Sequence, residues 1–241
     1  MSHLGVLCLH GLGGTPHSVL PLTAASHGAG YQTVAPKLPG HGSAPADLID
    51  IDWADLFAGV VDVAESLASR VEGIAVVGQS MGATLALQLA TERDFVRGVA
   101  AINPVVLPAD VDATEHLQFL LERGSVMQPA GDPDLRDPGA HDSAYIELPV
   151  HALLQLGVGA GIVHDRLDRI SVPLLVVSSD HDAVVDPANA DELAARARGP
   201  VTRLHLPNSG HVAALDLDRE LLCEQLLTWL AGLTDESGTA G

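Results

Sequence analysis

The sequence predicts one α/β domain in which helices flank a mostly parallel sheet of six strands. Short apolar runs alternate with longer stretches of helical periodicity, which is the pattern of strands joined by crossover helices. Most of these runs are continuously apolar, as expected of parallel strands that are covered on both faces. With 241 residues, of which 47% are hydrophobic, the chain is long and apolar enough to enclose such a core.

Six short apolar runs predict the strands. They read LGVLCL, YQTVA, GIAVV, GVAAI, VPLLVVS and VTRLHL, at residues 4–9, 31–35, 73–77, 98–102, 172–178 and 201–206. We expect the second of them to lie at an edge of the sheet. Helical periodicity in the intervals predicts helices near residues 17–27, 53–70, 81–91, 188–198 and 217–230.

One long segment interrupts this alternation. Residues 104–169 contain no run that predicts a strand, but they contain two apolar helical stretches near 114–123 and 149–163. The linker between these stretches is too long for a simple connection in a compact sheet, and insertions of this kind usually serve function. We therefore predict a core formed by residues 1–103 and 170–241, with residues 104–169 as a small helical cap over the carboxyl edge of the sheet, where such sheets bind ligands.

Charge and composition exclude several classes of partner. The chain has 31 acidic residues against 12 Lys and Arg, a net charge of −19, which repels nucleic acid and anionic membranes. The start MSHLGVLCLHG lacks the charged region and the long apolar run of a signal or membrane anchor. Cys8 and Cys223 are expected to be buried and reduced. We expect a cytoplasmic protein that binds no nucleic acid and does not associate stably with membranes. The simplest explanation of the acidic surface is that it keeps the protein soluble or reflects a source with high salt.

The sequence GQSMG, residues 78–82, is the first candidate for a catalytic motif. It follows an apolar run and precedes a helix of small residues. Ser80 between two glycines is the pattern of a nucleophile on a sharp strand-to-helix turn, where the glycines permit close backbone approach. The same five residues also fit an ordinary glycine turn, so the interpretation depends on finding the partners of a nucleophile elsewhere.

Those partners follow in a consistent order along the chain. LCLHGLGG ends the first strand and places the backbone amide of Leu12 where an oxyanion-hole donor belongs, and the amide of Met81 supplies the second donor. LLVVSSDHDAVVDP ends a late strand with several acids, and LHLPNSGHVAALD presents His211 on a loop before the final helix. The histidines show no paired spacing on one helix, so we expect no metal site, and the chemistry requires no cofactor.

The motifs HGLGGTPHS, PKLPGHG, GQSMGATLAL, SDHDAVVDPANAD and NSGHVAALDLDRE resemble the bacterial carboxylesterase and monoacylglycerol lipase family of α/β-hydrolases. The resemblance covers nearly the whole chain and is weakest across the cap. It implies an α/β-hydrolase fold in which Asp182 is the catalytic acid and His211 the base. Asp186 stands before Pro187, which is the pattern of a helix cap, so its expected role is structural. This agrees with the choice of Asp182 as the acid. Gln79 stands where the family more often has leucine, and the extra leading strands of larger relatives are expected to be missing.

These residues predict a serine hydrolase that cleaves carboxylic esters through an acyl-enzyme. Residues 104–169 hold four arginines against eleven Asp and Glu, so a substrate with several phosphates should be repelled. A neutral small-molecule ester with an apolar acyl chain fits better, and the resemblance implies monoacylglycerols or short- to medium-chain esters. We expect Gln79 and Asp142 to hydrogen-bond the alcohol. The alternatives are a perhydrolase, an acyltransferase or a thioesterase on the same fold, or a receptor without activity.

Overall fold

Strands and helices alternate along residues 4–236, the part of the chain that the computed structural model describes. Its strands are β1 (Leu4–Leu9), β2 (Gln32–Val34), β3 (Gly73–Gln79), β4 (Val96–Ile102), β5 (Met127–Pro129), β6 (Glu147–Pro149), β7 (Leu174–Ser179) and β8 (Val201–Leu206). Its α-helices are α1 (Leu20–Gly28), α2 (Trp53–Ala68), α3 (Met81–Glu92), α4 (Val111–Glu122), α5 (Val150–His164), α6 (Ala188–Arg196) and α7 (Arg219–Glu236). Short 3-10 helices cover Pro16–Val19, Pro45–Leu48, Leu167–Arg169 and Ala213–Leu215.

Six of these strands form one parallel sheet in the order β2–β1–β3–β4–β7–β8. The predicted six-stranded parallel sheet is confirmed, and β2 lies at its edge as expected. Every residue of β1, β3 and β7 is buried, because helices cover both faces of the sheet. Parallel strands end at the same edge, so the loops that follow β1, β3, β7 and β8 lie together there.

Two apolar layers hold the helices against the sheet. On one face Leu7 and Val76 pack with apolar residues of α2 and α3. On the other face Val6 and Val77 pack with apolar residues of α1 and α7. Because successive side chains of a strand point to opposite faces, a continuously apolar run supplies both layers at once.

The segment 104–169 differs from the prediction in one respect. It contains the two expected helices, as α4 and α5, but also a short antiparallel pair, β5 with β6, where we predicted no strand. Each strand has only three residues, MQP and ELP, which is too short to produce an apolar run or an alternation. Hydrogen bonds of the flanking amides, such as Val150 N–H to the Val126 carbonyl at 2.9 Å, extend the pairing. The role of this segment as a cap remains a prediction.

Two helices differ most from those predicted. The helix expected at 17–27 is divided into the 3-10 helix Pro16–Val19 and α1. Pro21 lies in the first turn of α1, where a residue without an amide donor is tolerated, so the α-helix begins there. Helix α7 begins at Arg219 and continues to Glu236, past the predicted end. Within residues 4–236 no helix combines the length and the apolar character that a membrane span requires.

Candidate active site

Ser80 lies on a strained turn between β3 and α3. Its backbone has φ 56° and ψ −122°, in the region that residues other than glycine rarely adopt. A Cβ on Gly78 would collide with the Gly82 carbonyl, and a Cβ on Gly82 would collide with the Leu9 carbonyl. Both flanking glycines are therefore required by close packing of the backbone, as the motif predicted. The amide of Ser80 donates to the Ile102 carbonyl at 2.9 Å, which holds the turn against the neighbouring strand.

His211 and Asp182 form a buried hydrogen-bonded pair. The distance from His211 Nδ1 to Asp182 Oδ2 is 2.8 Å, and the two side chains are 11% and 3% exposed. The other carboxylate oxygen of Asp182 accepts the amides of Val184 and Val185, each at 2.8 Å. With Nδ1–H directed at the carboxylate, Nε2 is left as the basic nitrogen of the ring.

The two other acids of the same loop lie elsewhere. Asp180 has an exposed side chain whose carboxylate is 4.0 Å from His205. Asp186 Oδ1 accepts the amide of Ala188, the first residue of α6, at 2.8 Å, but the N-cap of this helix is Pro187, one residue later than the sequence indicated. The structure thus brings Asp182, and neither of its neighbours, to the histidine.

Ser80 and His211 line one cavity of about 190 Å³. Leu12, Gln79 and Asp142 line it as well, so the structure brings most of the predicted site residues together. Within residues 4–236 no direct hydrogen bond joins Ser80 Oγ to the imidazole. Contacts of this kind commonly tighten only when a substrate is bound.

The two predicted oxyanion donors flank Ser80. Leu12 lies in a turn closed by a hydrogen bond of 3.1 Å from Gly14 N–H to the Gly11 carbonyl. A Cβ on Gly11 would lie 3.3 Å from Cβ of Ser80, which shows how closely this turn approaches the serine. Met81 is the first residue of α3 and directly follows the serine. Neither the Leu12 nor the Met81 amide meets an acceptor in the described part of the chain, as an open oxyanion hole requires.

His10 supports the turn of Leu12 from below. It is fully buried, its Nδ1–H donates to the Gly11 carbonyl at 2.9 Å, and its Nε2 accepts the Leu38 amide at 3.3 Å. Burial lowers the pKa of His10 to about 4, so the ring is neutral at neutral pH. The edge of His41 packs against it, with ring centroids 5.0 Å apart. His10 therefore has a structural role, since it holds the turn that carries Leu12.

The two predicted substrate-binding residues occupy the same cavity but differ in their surroundings. Asp142 accepts the Ser18 hydroxyl with both carboxylate oxygens at 3.0 Å, and the Ser143 amide at 2.8 Å. Gln79 is 2% exposed, and its Oε1 has no hydrogen-bond partner among residues 4–236. A buried amide oxygen without a partner is costly unless a ligand or water satisfies it.

Sequence reasoning missed two further polar residues at this edge. Asn103, at φ 45° after β4, donates Nδ2–H to the His211 carbonyl at 2.9 Å and to Ser179 Oγ at 3.0 Å. Its position at the carboxyl end of a predicted strand was a usable signal. Asp134 accepts the amides of His211 and Ala183. It lies in the long linker of segment 104–169, where no pattern distinguishes it from the other acids.

Comparison with known proteins agrees with this geometry. The model of the alpha/beta hydrolase family matches residues 6–224. A thermostable monoacylglycerol lipase of Bacillus sp. (strain H-257) is 36% identical over 236 residues, which cover 95% of this chain and 90% of that protein. A carboxylesterase of Bacillus subtilis (strain 168) is 26% identical over 231 residues, or 95% and 92% of the two chains.

A solved structure from work on LipS and LipT, two metagenome-derived lipolytic enzymes, has the same fold over almost its whole length. It superposes with a TM-score of 0.90 at 30% identity, and the match covers 96% of this chain and 94% of that one. The sheet order, the strained serine turn and the matched family model agree with one another. The chain belongs to the alpha/beta hydrolase family.

Proposed function

We propose that this protein hydrolyses neutral esters with an apolar acyl chain, by a serine mechanism that uses Ser80, His211 and Asp182. At the coarser level the protein is a carboxylic ester hydrolase, as its similarity to a monoacylglycerol lipase and a carboxylesterase establishes. The observation that supports the mechanism best is the buried His211–Asp182 pair, whose histidine lines one cavity with the strained Ser80.

In the first half-reaction, Nε2 of His211 takes the proton of Ser80 as Oγ attacks the ester carbonyl carbon. The amides of Leu12 and Met81 bind the resulting oxyanion, and Asp182 stabilises the imidazolium. Collapse of the tetrahedral intermediate breaks the ester bond, and His211 gives its proton to the departing alcohol. The product is an acyl-enzyme on Ser80.

In the second half-reaction, water replaces the alcohol. His211 removes a proton from the water as its oxygen attacks the acyl carbonyl, and the same two amides hold the second oxyanion. Collapse releases the carboxylic acid and returns the proton to Ser80. Every proton transfer uses Nε2, so the tautomer held by Asp182 matters in both halves.

The cavity has walls of two kinds, which supports an ester with an apolar acyl chain and a polar alcohol. Leu148, Leu153 and Leu156 supply apolar surface, and Asp142 and Gln79 supply hydrogen-bonding groups. We propose that these two polar side chains bind hydroxyl groups of the alcohol. Such an alcohol is the glycerol of a monoacylglycerol, in line with the name of the 36% identical relative.

The charge of residues 104–169 restricts the substrate further. We propose that this segment acts as the cap of the site, and it contributes Asp142, Tyr145 and Leu148 to the cavity wall. Its eleven acids against four arginines disfavour acyl groups that are carried on a polyphosphate such as coenzyme A.

The test is the Ser80→Ala variant, assayed with p-nitrophenyl butyrate and with monobutyrin. We expect kcat to fall by at least about 10³-fold, because the nucleophile is removed. The melting temperature should not change, because the hydroxyl makes no hydrogen bond among the described residues. Ser66→Ala, an exposed serine on α2, is the matched control and should keep full activity. A Ser80→Ala enzyme with more than about a hundredth of the original rate would exclude Ser80 as the nucleophile.

A further inference from the structure

One carboxylate of segment 104–169 contacts both loops that carry the His211–Asp182 pair. Asp134 lies between β5 and β6. Its Oδ2 accepts the amide of His211 at 2.9 Å and the amide of Ala183 at 2.9 Å. Ala183 directly follows Asp182, so a single oxygen atom joins the backbone of the base to the backbone beside the acid.

Asp134 packs closely against the histidine loop. Asp134 lies flat against Gly210, where a Cβ would come within 2.9 Å of Asp134 Oδ1 and 3.0 Å of its Cγ. The Asp134 carbonyl accepts the amide of Val212 at 3.2 Å. Asp134 therefore contacts three consecutive residues of the histidine loop, and Gly210 is required there because Asp134 occupies the space of a side chain.

The loop that carries Asp134 is itself fixed by a second carboxylate. Asp216 is fully buried, and its oxygens accept the amides of Arg136 at 2.9 Å, Asp137 at 2.7 Å and Gly210 at 2.7 Å. Arg219 adds an ion pair to Asp137 at 2.8 Å. Because these contacts hold residues 134–137 on the core, Asp134 presents its oxygen from a rigid support.

We propose that Asp134 is a positioning residue, which keeps the two catalytic loops in register so that His211 stays hydrogen-bonded to Asp182 and directed at Ser80. This inference rests on the proposed function, since it concerns the geometry of the same pair. A displacement of about 1 Å in a catalytic group costs on the order of 10²-fold in rate. Asp134 also lines the cavity, but its contacts to both catalytic loops predict an effect on the chemical step.

The test compares Asp134→Ala, Asp134→Asn and Glu115→Ala with p-nitrophenyl butyrate as substrate. Asp134→Asn keeps one oxygen that is able to accept both amides, while Asp134→Ala removes the acceptor. We expect Asp134→Ala to lower kcat by about 10- to 100-fold with KM changed less than about twofold, and Asp134→Asn to keep at least about a third of kcat. Glu115→Ala removes an exposed acid of α4 and should match the original enzyme, so it controls for the lost charge.

The proton NMR signal of His211 Nδ1–H gives a readout that needs no activity. In the original protein this proton lies in the 2.8 Å bond to Asp182 and should resonate at low field. We expect the signal to broaden or shift upfield in Asp134→Ala and to be retained in Asp134→Asn. Gly210→Ala displaces Asp134 without removing any hydrogen-bond donor, so it should cause the same defect as Asp134→Ala. It provides the test if Asp134→Ala does not fold.

The outcomes separate this inference from the proposed function. Original kcat and an unchanged signal in Asp134→Ala, with Ser80→Ala inactive, would overturn the clamp and leave the nucleophile in place. Equal defects in Asp134→Ala and Asp134→Asn would assign the effect to charge and also overturn it. If Ser80→Ala keeps its activity, the proposed function fails, and the NMR signal still decides whether Asp134 holds the pair.

Discussion

At the scale of single residues, the two carboxylate oxygens of Asp182 accept hydrogen bonds from different partners. Oδ2 accepts His211 Nδ1–H, and Oδ1 accepts the amides of Val184 and Val185. All three partners are N–H groups, so both oxygens of the carboxylate act as acceptors. The amides of its own loop thus fix the orientation of the carboxylate that binds His211.

Asp182→Asn should lower kcat by about 10⁴-fold, because its amide group presents a donor either to a backbone amide or to His211 Nδ1–H. Asp180→Asn should change kcat less than about twofold, since the Asp180 side chain is exposed and lies outside the pair. Steady-state kinetics on p-nitrophenyl butyrate compares kcat of the two variants. A crippled Asp180→Asn beside an active Asp182→Asn would show that the acid is misassigned.

His10 links the pH dependence of folding to the oxyanion turn. The ordinary pKa of histidine is 6.5, and burial lowers that of His10 to about 4. Between these values the unfolded chain binds a proton that the folded protein does not, so stability falls as the pH drops from 6.5 to 4. The contribution of this ring is at most about 1.4 kcal/mol per pH unit in that window.

We expect His10→Gln to have a shallower decrease in the free energy of unfolding between pH 6.5 and 4.5 than the original protein. Urea denaturation at several pH values measures this slope, and His27→Gln, an exposed histidine of α1, is the control. Parallel curves for His10→Gln and the original protein would contradict the assignment of His10 as a buried neutral ring.

At the scale of elements, α5 is seated on the core through a glycine. A Cβ at Gly159 would collide with the indole ring of Trp53 in α2, whereas a Cβ at Gly161 would meet nothing within 4 Å. The indole Nε1–H donates to Gln88 of α3 at 2.7 Å, so the ring has no freedom to move aside. The indole ring of Trp53 therefore joins three helices, and Gly159 allows α5 to approach it.

Gly159→Ala should destabilise the protein by about 1–3 kcal/mol, because the added methyl group overpacks this junction. Gly161→Ala, two residues along the same helix, should stabilise it by roughly 0.5–1 kcal/mol through the higher helix propensity of alanine. Chemical denaturation of the two variants measures the difference. Equal effects of the two substitutions would mean that helix propensity, and not the contact with Trp53, determines the result.

Elements that bury both faces were predictable, and those defined by single hydrogen bonds were not. The apolar runs of β1 and β3 reveal themselves because burial demands apolar residues at every position. The pair β5–β6 is three residues long on each side and partly exposed, so burial leaves no mark in its sequence. Ser80 and His211 follow buried strands and were found, but Asp134 approaches them from a distant loop. Only the fold brings its carboxylate to the amide of His211.

At the scale of the whole molecule, the net charge and the lining of the cavity both bear on the substrate that we propose. The net charge is −19, and residues 104–169 contribute an excess of acids to it. Much of the cavity of about 190 Å³ is lined by apolar side chains such as Leu148, Leu153 and Leu156, and Asp132, Asp134 and Asp142 also line it. The apolar part of the cavity favours an apolar acyl chain. The negative charge does not repel an ester that is itself neutral.

We expect kcat/KM for saturated monoacylglycerols to rise with chain length, by up to about 0.8 kcal/mol for each methylene that the cavity buries, and to fall once it is full. The acyl-coenzyme A of equal chain length should react more slowly at low salt and gain on the monoacylglycerol as salt screens the repulsion. Kinetics at several ionic strengths provides the measurement. Equal or higher efficiency on the thioester at low salt would identify a thioesterase instead.

The hydrogen bonds of segment 104–169 to both sides of the cavity have a consequence for how the protein unfolds. On one side Tyr145 N–H donates to the Gly13 carbonyl at 2.9 Å, and on the other Asp216 accepts the Arg136 and Asp137 amides. Lifting the segment would break both sets of bonds and expose the apolar wall beneath it, so we expect the segment and the sheet to unfold as one cooperative unit. The amides of Tyr145 and Asp137 should therefore exchange with deuterium nearly as slowly as those of β3, and substrate should enter by small local movements rather than by detachment of the segment.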